Sequence, residues 1–404
     1  MIISQTPPLH LTYCLNVHPG QSWSDNFAAV RDNALRVRDI VCDADTPFGL
    51  GMRLGKLAAD ELTDDPEKLT EFRQFLDANN LYVFTINRFP YGEFHDPGVK
   101  ENVYAPDWRT AERRDYTIQL ADILADLLPE GVSGSISTVP GSYKSWIKTP
   151  EDVEAMVINL ADVAAHCYRL RRSRGVSICV ALEPEPDCYI ETSKEVIKFF
   201  TGPMREIGKA YIRKKLNISG HKSAKLLRRH IGVCLDTAHA AVEFEDAAEA
   251  ALAIHYENIR IAKVQLSSAL HVAIPRDAGD ELRGRIEAFC DPVYLHQTRI
   301  RRHETVYHHH DLPDALEERS LHATDQWRVH FHVPLFFDEF KGLQGTNYML
   351  RGEFADILTR GLTEHLEIET YTFGVLPDDL RPDDLPPAIA KEYQWVLTTM
   401  MNAE

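Results

Sequence analysis

The sequence lacks a glycine-rich phosphate-binding motif of either common kind. A dinucleotide-binding sheet needs Gly-x-Gly-x-x-Gly after its first strand, but residues 16–21 read NVHPGQ. The glycines of GLGMRLG, at 49–55, do not open onto a helix cap as that motif requires. The sequence contains no Gly-Lys-Ser/Thr phosphate loop. These absences argue against the doubly wound nucleotide-binding folds.

Marks of secretion, of a disulfide scaffold and of a membrane span are also missing. The 7 cysteines include no Cys-x-x-Cys pair, which argues against a thiolate zinc site and favours a reducing compartment. The N-terminus has no basic region followed by an apolar core. No apolar run approaches the roughly 18–20 residues that a membrane helix needs. We therefore expect a cytoplasmic protein without membrane insertion.

Positive charge is scarce, since the formal net charge is -17. An acidic surface repels phosphate backbones, so we expect no nucleic-acid partner. The densest basic runs, at 170–175 and 213–230, lack interleaved aromatic residues and are typical of solvated helix faces. The remaining composition is that of a globular protein of one large domain or two to three smaller ones.

Short apolar runs alternate with longer segments of helical periodicity. The candidate strands are residues 11–17, 49–54, 81–87, 134–139, 177–183, 231–236, 259–266, 329–336 and 366–373. Such alternation predicts parallel strands joined by right-handed crossovers. Two helix starts are well marked: Thr149-Pro150 followed by two acidic residues, and Thr192 before SKEVIKFFTG.

Polar residues close nearly every one of these runs. They are Asn16, Arg53, Asn87, Ser142, Glu183, Glu185, Asp236, Gln265 and Glu369. In a (β/α)8 barrel the chemistry lies at the carboxyl ends of the strands. The pattern therefore predicts an α/β protein with a single (β/α)8 TIM-barrel domain over residues 1–404.

Nine candidate strands are one too many for that barrel. The segment from Gln265 to Leu366 is about a hundred residues long, which is too much for one crossover. We assign the eighth barrel strand to 366–373 and place 329–336 in an insertion, 270–345, near the barrel mouth. The insertion then lies between the seventh and eighth strands.

Three carboxylates are expected to meet inside the barrel. Side-chain alternation points Glu183, Asp236 and Glu369 inward at the same end. Convergent anions repel one another unless a cation or protons join them. One divalent ion (Mn, Mg, Zn, Co or Fe) is the simplest solution. The alternative is that the two glutamates pair with Arg53 or Lys263.

The residues around these carboxylates resemble those of the xylose isomerase-like TIM barrels. The matching segments are ALEPEP after the fifth strand, LDTAH after the sixth and EIETYTF at the last. That superfamily includes sugar isomerases, ketose 3-epimerases and endonuclease IV-type nucleases. The resemblance implies that Glu183, Asp236 and Glu369 bind the metal. It also implies that Glu183 and Glu369 exchange protons with the substrate, and that His239 completes the catalytic group by contacting the substrate or by supporting a ligand.

Two positions depart from that pattern. The seventh strand usually supplies a histidine ligand, and this chain has Gln265 there. The fourth ligand is therefore Gln265 or a histidine of HFH, in which His330 and His332 share one face; a solvent-facing histidine pair is the alternative. Val139 stands where the nucleases have a histidine, which disfavours a zinc phosphodiesterase.

A closer resemblance covers most of the chain. The segments are HLTYCLNVHPGQSW (10–23), NRFPYGEFHDPGVKENVYAPDW (87–108), VYLHQTR (293–299), WRVHFHVPLFF (327–337) and EIETYTF (367–373). Together they are similar to the EboE-type "metabolite traffic protein" family of the bacterial ebo gene cluster. The resemblance implies a pathway that processes or moves a small secondary metabolite, with a small-molecule partner and further pathway proteins.

The 87–108 segment follows the third strand at the active end of the barrel. It is rich in glycine, proline and aromatic residues, as a lid over a pocket is; a packing loop is the alternative. We expect substrate contacts from this segment, from the turn after the first strand and from the insertion. The candidates are His18, Asn87, Tyr91, His95, Trp108 and His296.

These observations predict a metal-dependent, sugar isomerase- or epimerase-like enzyme that acts on a small polar metabolite. A second hypothesis is a carrier protein that binds a metabolite without turnover and has a degenerate metal site. A zinc phosphodiesterase of the endonuclease IV type is the least favoured.

Overall fold

The computed structural model describes residues 1–87, 91–92, 99–317 and 321–400. Its strands are β1 Ile2–Gln5, β2 Pro8–Tyr13, β3 Phe48–Arg53, β4 Leu81–Asn87, β5 Gly134–Thr138, β6 Ile178–Leu182, β7 Ile231–Asp236, β8 Ile261–Leu266, β9 Ser268–Ala273, β10 Thr298–Arg302, β11 Thr305–His309, β12 Gln326–Val333, β13 Glu339–Phe340, β14 Leu343–Gly345 and β15 His365–Ile368.

Helices of different lengths connect them. They are α1 Trp23–Ala29, α2 Leu35–Val41, α3 Lys56–Asp64, α4 Pro66–Ala78, α5 Ala111–Leu127, α6 Pro150–Arg174, α7 Ser193–Thr201, α8 Lys209–Leu216, α9 Gly220–His230, α10 Thr237–Val242, α11 Ala247–Tyr256, α12 Asp280–Glu287, α13 Leu312–Ala315, α14 Glu353–Thr359 and α15 Leu385–Trp395.

Eight parallel strands form the barrel. They are hydrogen-bonded in the order β2-β15-β8-β7-β6-β5-β4-β3, and β1 adds to β2 as an antiparallel edge strand. A parallel bridge between Cys14 and Gly51 brings β3 back to the end of β2. The predicted (β/α)8 fold is confirmed, and so is the insertion between the seventh strand, β8, and the eighth, β15.

Gly51 matters at this closure because the chains approach closely there. A Cβ atom on Gly51 would lie 2.9 Å from the backbone oxygen of Tyr13, with the Glu367 carboxylate closer still. Contacts between Cβ atoms and backbone are not this short, so a side chain would force the two strands apart.

The marked helix starts behave as their sequences predict. At Thr149 and at Thr192 the threonine and the acidic residue three positions later form reciprocal capping boxes at α6 and α7. Each box satisfies backbone N–H groups that a helix start leaves without partners. The two helices therefore begin at defined points on the outside of β5 and β6.

The insertion forms a second sheet with the strand order β11-β10-β12-β9-β14-β13. Only Ser267 separates β9 from barrel strand β8, so the second sheet continues directly from the mouth of the barrel. The pairing of β12 with β9 shifts register between Val329 and His332. Such irregularities redirect side chains, and this one lies at His330.

Two predicted strands are too long. The run 11–17 is β2 up to Tyr13, and Leu15–Val17 forms a 3-10 turn. The run 366–373 is β15 up to Ile368, and Thr372–Val375 is again a 3-10 turn. Asn16 and Glu369 therefore lie on turns just past the strands. Among the described residues, none of the helices combines the length and apolarity needed to span a membrane.

Candidate metal centre

The barrel brings the three strand-end carboxylates together in a buried position. Glu183 follows β6, Asp236 ends β7 and Glu369 follows β15; their relative exposures are 3%, 1% and 4%. Charged groups are rarely buried unless they are paired or bind a metal. The hydrogen bonds of each carboxylate therefore decide what the cluster can do.

Asp236 is held by the start of α10. Its Oδ1 accepts hydrogen bonds from the backbone N–H of Ala238 (2.7 Å) and of His239 (3.0 Å), and from the Ser267 hydroxyl (2.6 Å). Asp236 is the N-cap of this helix, and the helix dipole favours its negative charge. Its Oδ2 is buried and has no hydrogen-bond partner within the described part of the chain.

Glu369 is oriented by two amides. Its Oε1 accepts from Nδ2 of Asn16 (2.8 Å) and from Nδ2 of Asn87 (3.1 Å). Its Oε2, like Oε2 of Glu183, is buried without a hydrogen-bond partner among the residues that the structure describes. Each of the three carboxylates thus presents one oxygen that a bound cation would satisfy.

The three carboxylates of the cluster have too little positive charge nearby to balance three negative charges. Burial first, and then repulsion from Asp236, raises the pKa of Glu183 well above its usual range. Burial and the Glu183 carboxylate do the same to the pKa of Glu369. Burial also acts to raise the pKa of Asp236, but the imidazoles of His239 and His332 leave it lowered. These shifts favour the charged form of Asp236 and oppose the charged forms of Glu183 and Glu369 unless a cation joins them.

His332 of β12 adds an imidazole to this cluster. Its Nδ1 lies 2.8 Å from the backbone oxygen of Glu369, to which it donates, and its Nε2 is buried with no described hydrogen-bond partner. Asp236, His332 and Glu369 each offer one ligand atom, and these atoms all lie within 4.8 Å of one another. The set of two carboxylates and one imidazole suits a divalent transition metal.

Gln265 is placed differently. Its Oε1 accepts a hydrogen bond from the Cys234 thiol (2.9 Å), while its Nε2 has no partner among the described residues. An amide nitrogen donates hydrogen bonds and does not bind a cation. Of the two candidates for the fourth ligand, His332 has a free ring nitrogen that could bind the ion. Gln265 could bind it through Oε1 only after breaking the hydrogen bond with the Cys234 thiol.

Two further histidines adjoin the cluster. Nδ1 of His239 lies 2.9 Å from the Pro184 oxygen, and Nδ1 of His330 lies 2.6 Å from Oε1 of Gln297. Their Nε2 atoms are 3.0 Å apart. Burial lowers the pKa of both rings, and lowers that of His332 to about 4. Each of these shifts favours the neutral form of the imidazole, which is the form that binds a metal ion.

The predicted ion-pair alternative involves a different glutamate. Lys263 forms a fully buried ion pair with Glu367, the inward residue of β15 next to Ile368. Arg53 donates to the backbone oxygens of Gly20 and Gly92. The lysine therefore neutralises Glu367, while Glu183 and Glu369 keep one unpartnered oxygen each.

A cavity of about 50 Å³ lies over the cluster. It is lined by residues from 99 to 104 of the predicted lid, by residues 293–295 of the insertion, and by Tyr371. Lys100 joins the first two walls, because its Nζ donates to Oδ2 of Asp311 (2.7 Å) and to the backbone oxygen of Tyr294 (2.7 Å). The cavity has room for an ion with a few water molecules.

Most of the predicted substrate contacts lie outside this lining. Asn87 contacts Glu369, as described above. The other described candidates are held by contacts to the protein: His18 to the Tyr13 hydroxyl, Tyr91 against the ring of Tyr116, Trp108 to the Thr138 hydroxyl, and His296 to Asp291 and the His330 backbone. His95 is outside the described residues. Contacts of these side chains with a substrate stay a prediction.

Sequence reasoning missed several residues of the cavity. Asn16 was recognisable as the polar residue after the first strand, but nothing local pointed to its bond with Glu369. Tyr104, Tyr294 and Tyr371 line the cavity through three separate segments. Aromatic residues are common in packed loops, so the sequence gives no signal that distinguishes these three.

One further acidic group is explained without a metal. Asp187, Glu191 and His308 lie close together near the surface. The buried Arg299 donates to Asp187 (2.8 Å) and to Glu191 (3.2 Å). The guanidinium therefore supplies the positive charge that this group needs.

Comparison with known proteins supports the fold. No family model and no curated protein matches the sequence. A xylose isomerase-like TIM barrel protein from Mycobacterium smegmatis in complex with magnesium matches at 12% identity and a TM-score of 0.51, over 98% of this chain and 97% of that chain. A xylose isomerase domain protein from Planctomyces limnophilus matches at 12% identity and a TM-score of 0.49, over 96% and 95%.

A third solved structure, the probable 3-DHS dehydratase AsbF of petrobactin synthesis from Bacillus anthracis, matches at 11% identity and a TM-score of 0.46, over 97% of this chain and 99% of that chain. At such identities a likeness shows the fold alone, and of these three matches only the Mycobacterium smegmatis protein has a TM-score above 0.5 and supports that conclusion. The chain has the xylose isomerase-like TIM-barrel fold, and the closer resemblance to the EboE-type family stays a prediction.

Proposed function

We propose that this protein is a metal-dependent isomerase or epimerase that acts on a small, hydroxylated carbonyl compound. The observation that carries the proposal is a set of four buried ligand atoms without hydrogen-bond partners in the described chain. They are Oε2 of Glu183, Oδ2 of Asp236, Nε2 of His332 and Oε2 of Glu369. Buried polar atoms are normally satisfied. Asp236, His332 and Glu369 offer ligand atoms within 4.8 Å of one another, and Glu183 offers one within 4.8 Å of Asp236, so these unsatisfied atoms support a cation site.

The donor set fits the divalent ion that the sequence predicts. Three carboxylates and one imidazole suit Mn, Co, Fe or Zn, and Mg less well because of the nitrogen. The Nδ1 of His332 donates to a backbone carbonyl, which fixes the ring and directs the lone pair of Nε2 toward the carboxylates. When bound, such an ion polarises a substrate carbonyl and stabilises the negative charge that develops on its oxygen.

Glu183 and Glu369 are the proton carriers in this proposal. One carboxylate removes the proton from the carbon next to the carbonyl, the C–H electron pair moves toward the carbonyl oxygen, and the other carboxyl group returns a proton. Asn16 and Asn87 keep Glu369 in position for this exchange. Tyr104, Tyr294 and Tyr371 line the cavity, where they would limit the access of water to the carbanionic intermediate.

The carrier hypothesis is less well supported. The absence of a histidine on the seventh strand favours this hypothesis, since a degenerate metal site would bind a metabolite without converting it. His332 provides an imidazole from the insertion, next to Asp236 and Glu369. We therefore favour an enzyme, which would serve in a pathway for a small secondary metabolite as the EboE-type resemblance suggests.

Metal analysis tests the proposal. We expect wild-type protein, purified without chelator, to contain at least one divalent ion per chain, and the double variant Glu183→Gln/Glu369→Gln to contain none. Glu392→Gln is the matched control, because this buried carboxylate bonds to Thr370 and Leu335 and belongs to none of the ligand groups. Full metal occupancy in the double variant would refute the ligand assignment.

Proton exchange tests the chemistry separately. Wild-type protein in deuterium oxide should incorporate deuterium at the carbon next to the carbonyl in at least one ketose of a panel, and each single glutamine variant should lose this exchange. Stoichiometric metal without exchange in any ketose or aldose would favour the carrier.

A further inference from the structure

Another cavity lies at the opposite end of the barrel from the metal centre. Its volume is about 390 Å³, and it is lined by residues from the ranges 200–209, 224–231 and 257–260. Strand β7 runs from Ile231, in this lining, to Asp236 at the metal centre. Five residues of extended strand span about 16 Å. A small ligand in this cavity therefore binds apart from the metal centre.

The buried part of the lining is apolar. Met204, Leu227, Ile231 and Ile259 line the cavity and belong to the hydrophobic core. Small-molecule sites are typically cavities of about 300–1,000 Å³ with mostly apolar walls and a few polar groups. The size and the wall of this cavity fit a small organic molecule.

The polar part of the lining is mostly positive. Four of its side chains are cations, and one is a carboxylate: Arg205, Lys209, Arg228, Arg260 and Glu257. None of the four cations forms an ion pair with a carboxylate in the part of the chain that the structure describes. The cavity therefore combines an apolar wall with positive charge that the described residues do not neutralise.

The two basic runs of the sequence meet beside this cavity. Burial first, and then the charges of Arg171 and Arg260, lowers the pKa of Arg229. Arg171 belongs to the run 170–175 and Arg229 to the run 213–230. Like charges this close repel one another, and an anion among them relieves the repulsion.

The helix dipole of α9 explains only part of this charge. Arg228 and Arg229 lie in the last turn of α9, where the dipole favours cations. Nη1 of Arg260 donates to the backbone oxygen of Arg229 at 3.2 Å, so it also satisfies the end of this helix. Arg205 and Lys209 come from the segment before α9 and serve no such purpose there.

The charge balance favours a phosphate group as the anion. A phosphate monoester carries a charge of about -1.5 to -2 at pH 7, whereas a carboxylate carries a single charge. Guanidinium groups bind phosphate oxygens through two parallel hydrogen bonds. Four cations against one carboxylate therefore match a phosphate better than a second carboxylate.

We propose that this cavity binds a small organic phosphate, with the phosphate group among the four cations and the carbon skeleton against the apolar wall. The proposal does not rest on the proposed function, because none of these residues belongs to the metal centre. It adds a site for a second small molecule at the amino-terminal end of the barrel.

Calorimetric titration with phenyl phosphate tests the site. Wild-type protein should bind one molecule per chain at the cavity, and Arg205→Gln/Arg228→Gln should raise the dissociation constant at least about tenfold. These two arginines are exposed and form no ion pair within the described residues, so the variant should fold. The matched control is Arg73→Gln/Arg276→Gln, which removes the same charge from two exposed positions outside the cavity and should leave the dissociation constant unchanged.

Two further probes test the chemical class of the ligand. Benzoate has the same ring with a single negative charge, and inorganic phosphate has the charge without the ring. Both should bind less tightly than phenyl phosphate. Benzoate bound as tightly would overturn the assignment of a phosphate, and inorganic phosphate bound as tightly would overturn the assignment of an organic ligand. Equal weakening in the control variant would overturn the site itself, because general charge attraction would then explain the binding.

NMR of the wild-type chain locates the ligand without any substitution. Phenyl phosphate should shift backbone amide resonances within residues 200–209, 224–231 and 257–260. Absence of saturable binding would overturn the proposal. Binding retained in Arg205→Gln/Arg228→Gln but lost in Glu183→Gln/Glu369→Gln would place the anion at the metal centre, which would overturn this proposal and leave the proposed function intact.

Discussion

The two amides that hold Glu369 allow a graded test of the site. Oε1 of this carboxylate accepts from Nδ2 of Asn16 at 2.8 Å and from Nδ2 of Asn87 at 3.1 Å. If Oε2 of Glu369 binds the ion, both amides act by orienting a ligand. Loss of such a supporting partner typically weakens metal binding about 10–100-fold.

The magnitudes follow from the shared acceptor. With Asn16→Leu, the second amide still orients the carboxylate, so we expect the dissociation constant to rise about tenfold, or about 1.4 kcal/mol. With Asn16→Leu/Asn87→Leu, no amide remains on Oε1, and we expect a rise of about 100-fold, or about 2.7 kcal/mol. A side chain of similar size limits the cavity that either change leaves.

Competition with a chromophoric chelator measures these constants in chelator-treated protein. The control is Asn159→Leu, which removes another buried asparagine whose amide bonds to the Trp108 oxygen at 2.8 Å, away from the ligand groups. We expect the control to lose stability without losing metal affinity. An unchanged dissociation constant in the double variant would refute the reasoning, since Glu369 would then not need its orientation to bind the ion.

Two other predictions concern pH and the lid. Burial raises the pKa of Glu392 to about 7 from an ordinary value of 4.5, so its protonated form favours folding: the stabilisation is complete below pH 4.5 and is lost as the pH rises through 7. The free energy of unfolding should therefore fall by about 3 kcal/mol over this range. Glu392→Gln should remove that dependence, so the free energy of unfolding of the variant, measured by urea denaturation between pH 4.5 and 8, should change less with pH. An identical pH dependence in both proteins would contradict this. Lys100→Met removes the contacts of its ammonium group to Asp311 and the Tyr294 oxygen, so hydrogen exchange of residues 99–104 should accelerate, whereas Lys341→Met, on an exposed lysine of the insertion, should leave it unchanged. Equal exchange rates in all three proteins would show that Lys100 does not anchor this wall.

The carboxylates of the site were predictable because each carries a local signal. Glu183, Asp236 and Glu369 are charged residues at the ends of apolar runs, and burial makes such positions costly unless they serve a purpose. Parallel topology then places all carboxyl ends of the strands at one side of the barrel. The alternation of apolar runs and helical segments thus predicts the barrel, and the charged residues at the ends of those runs predict where these three carboxylates lie.

The imidazoles were only partly predictable. The spacing of His330 and His332 put both on one face of a strand, but their position depends on how the second sheet meets the barrel mouth. That contact is long-range, and the irregular pairing between Val329 and His332 breaks the simple alternation of side chains. Gln265 was a candidate because of its place on the seventh strand, and its bond to the Cys234 thiol could not be foreseen.

The predicted substrate contacts show a similar limit. His18, Trp108 and His296 lie near the expected end of the barrel, yet their polar atoms bond to neighbouring protein groups. A sequence shows that a polar residue follows a strand, but not whether its side chain turns toward the cavity or into the packing beside it. Only the three-dimensional arrangement separates these cases.

A crystal structure of protein prepared in zinc or manganese, with anomalous difference density, tests the central claim most directly. We predict a strong peak in contact with Glu183, Asp236, His332 and Glu369, each of which has one buried atom without a hydrogen-bond partner among the described residues. A cluster without any peak, or a peak bound by Gln265 with His332 turned away, would contradict it.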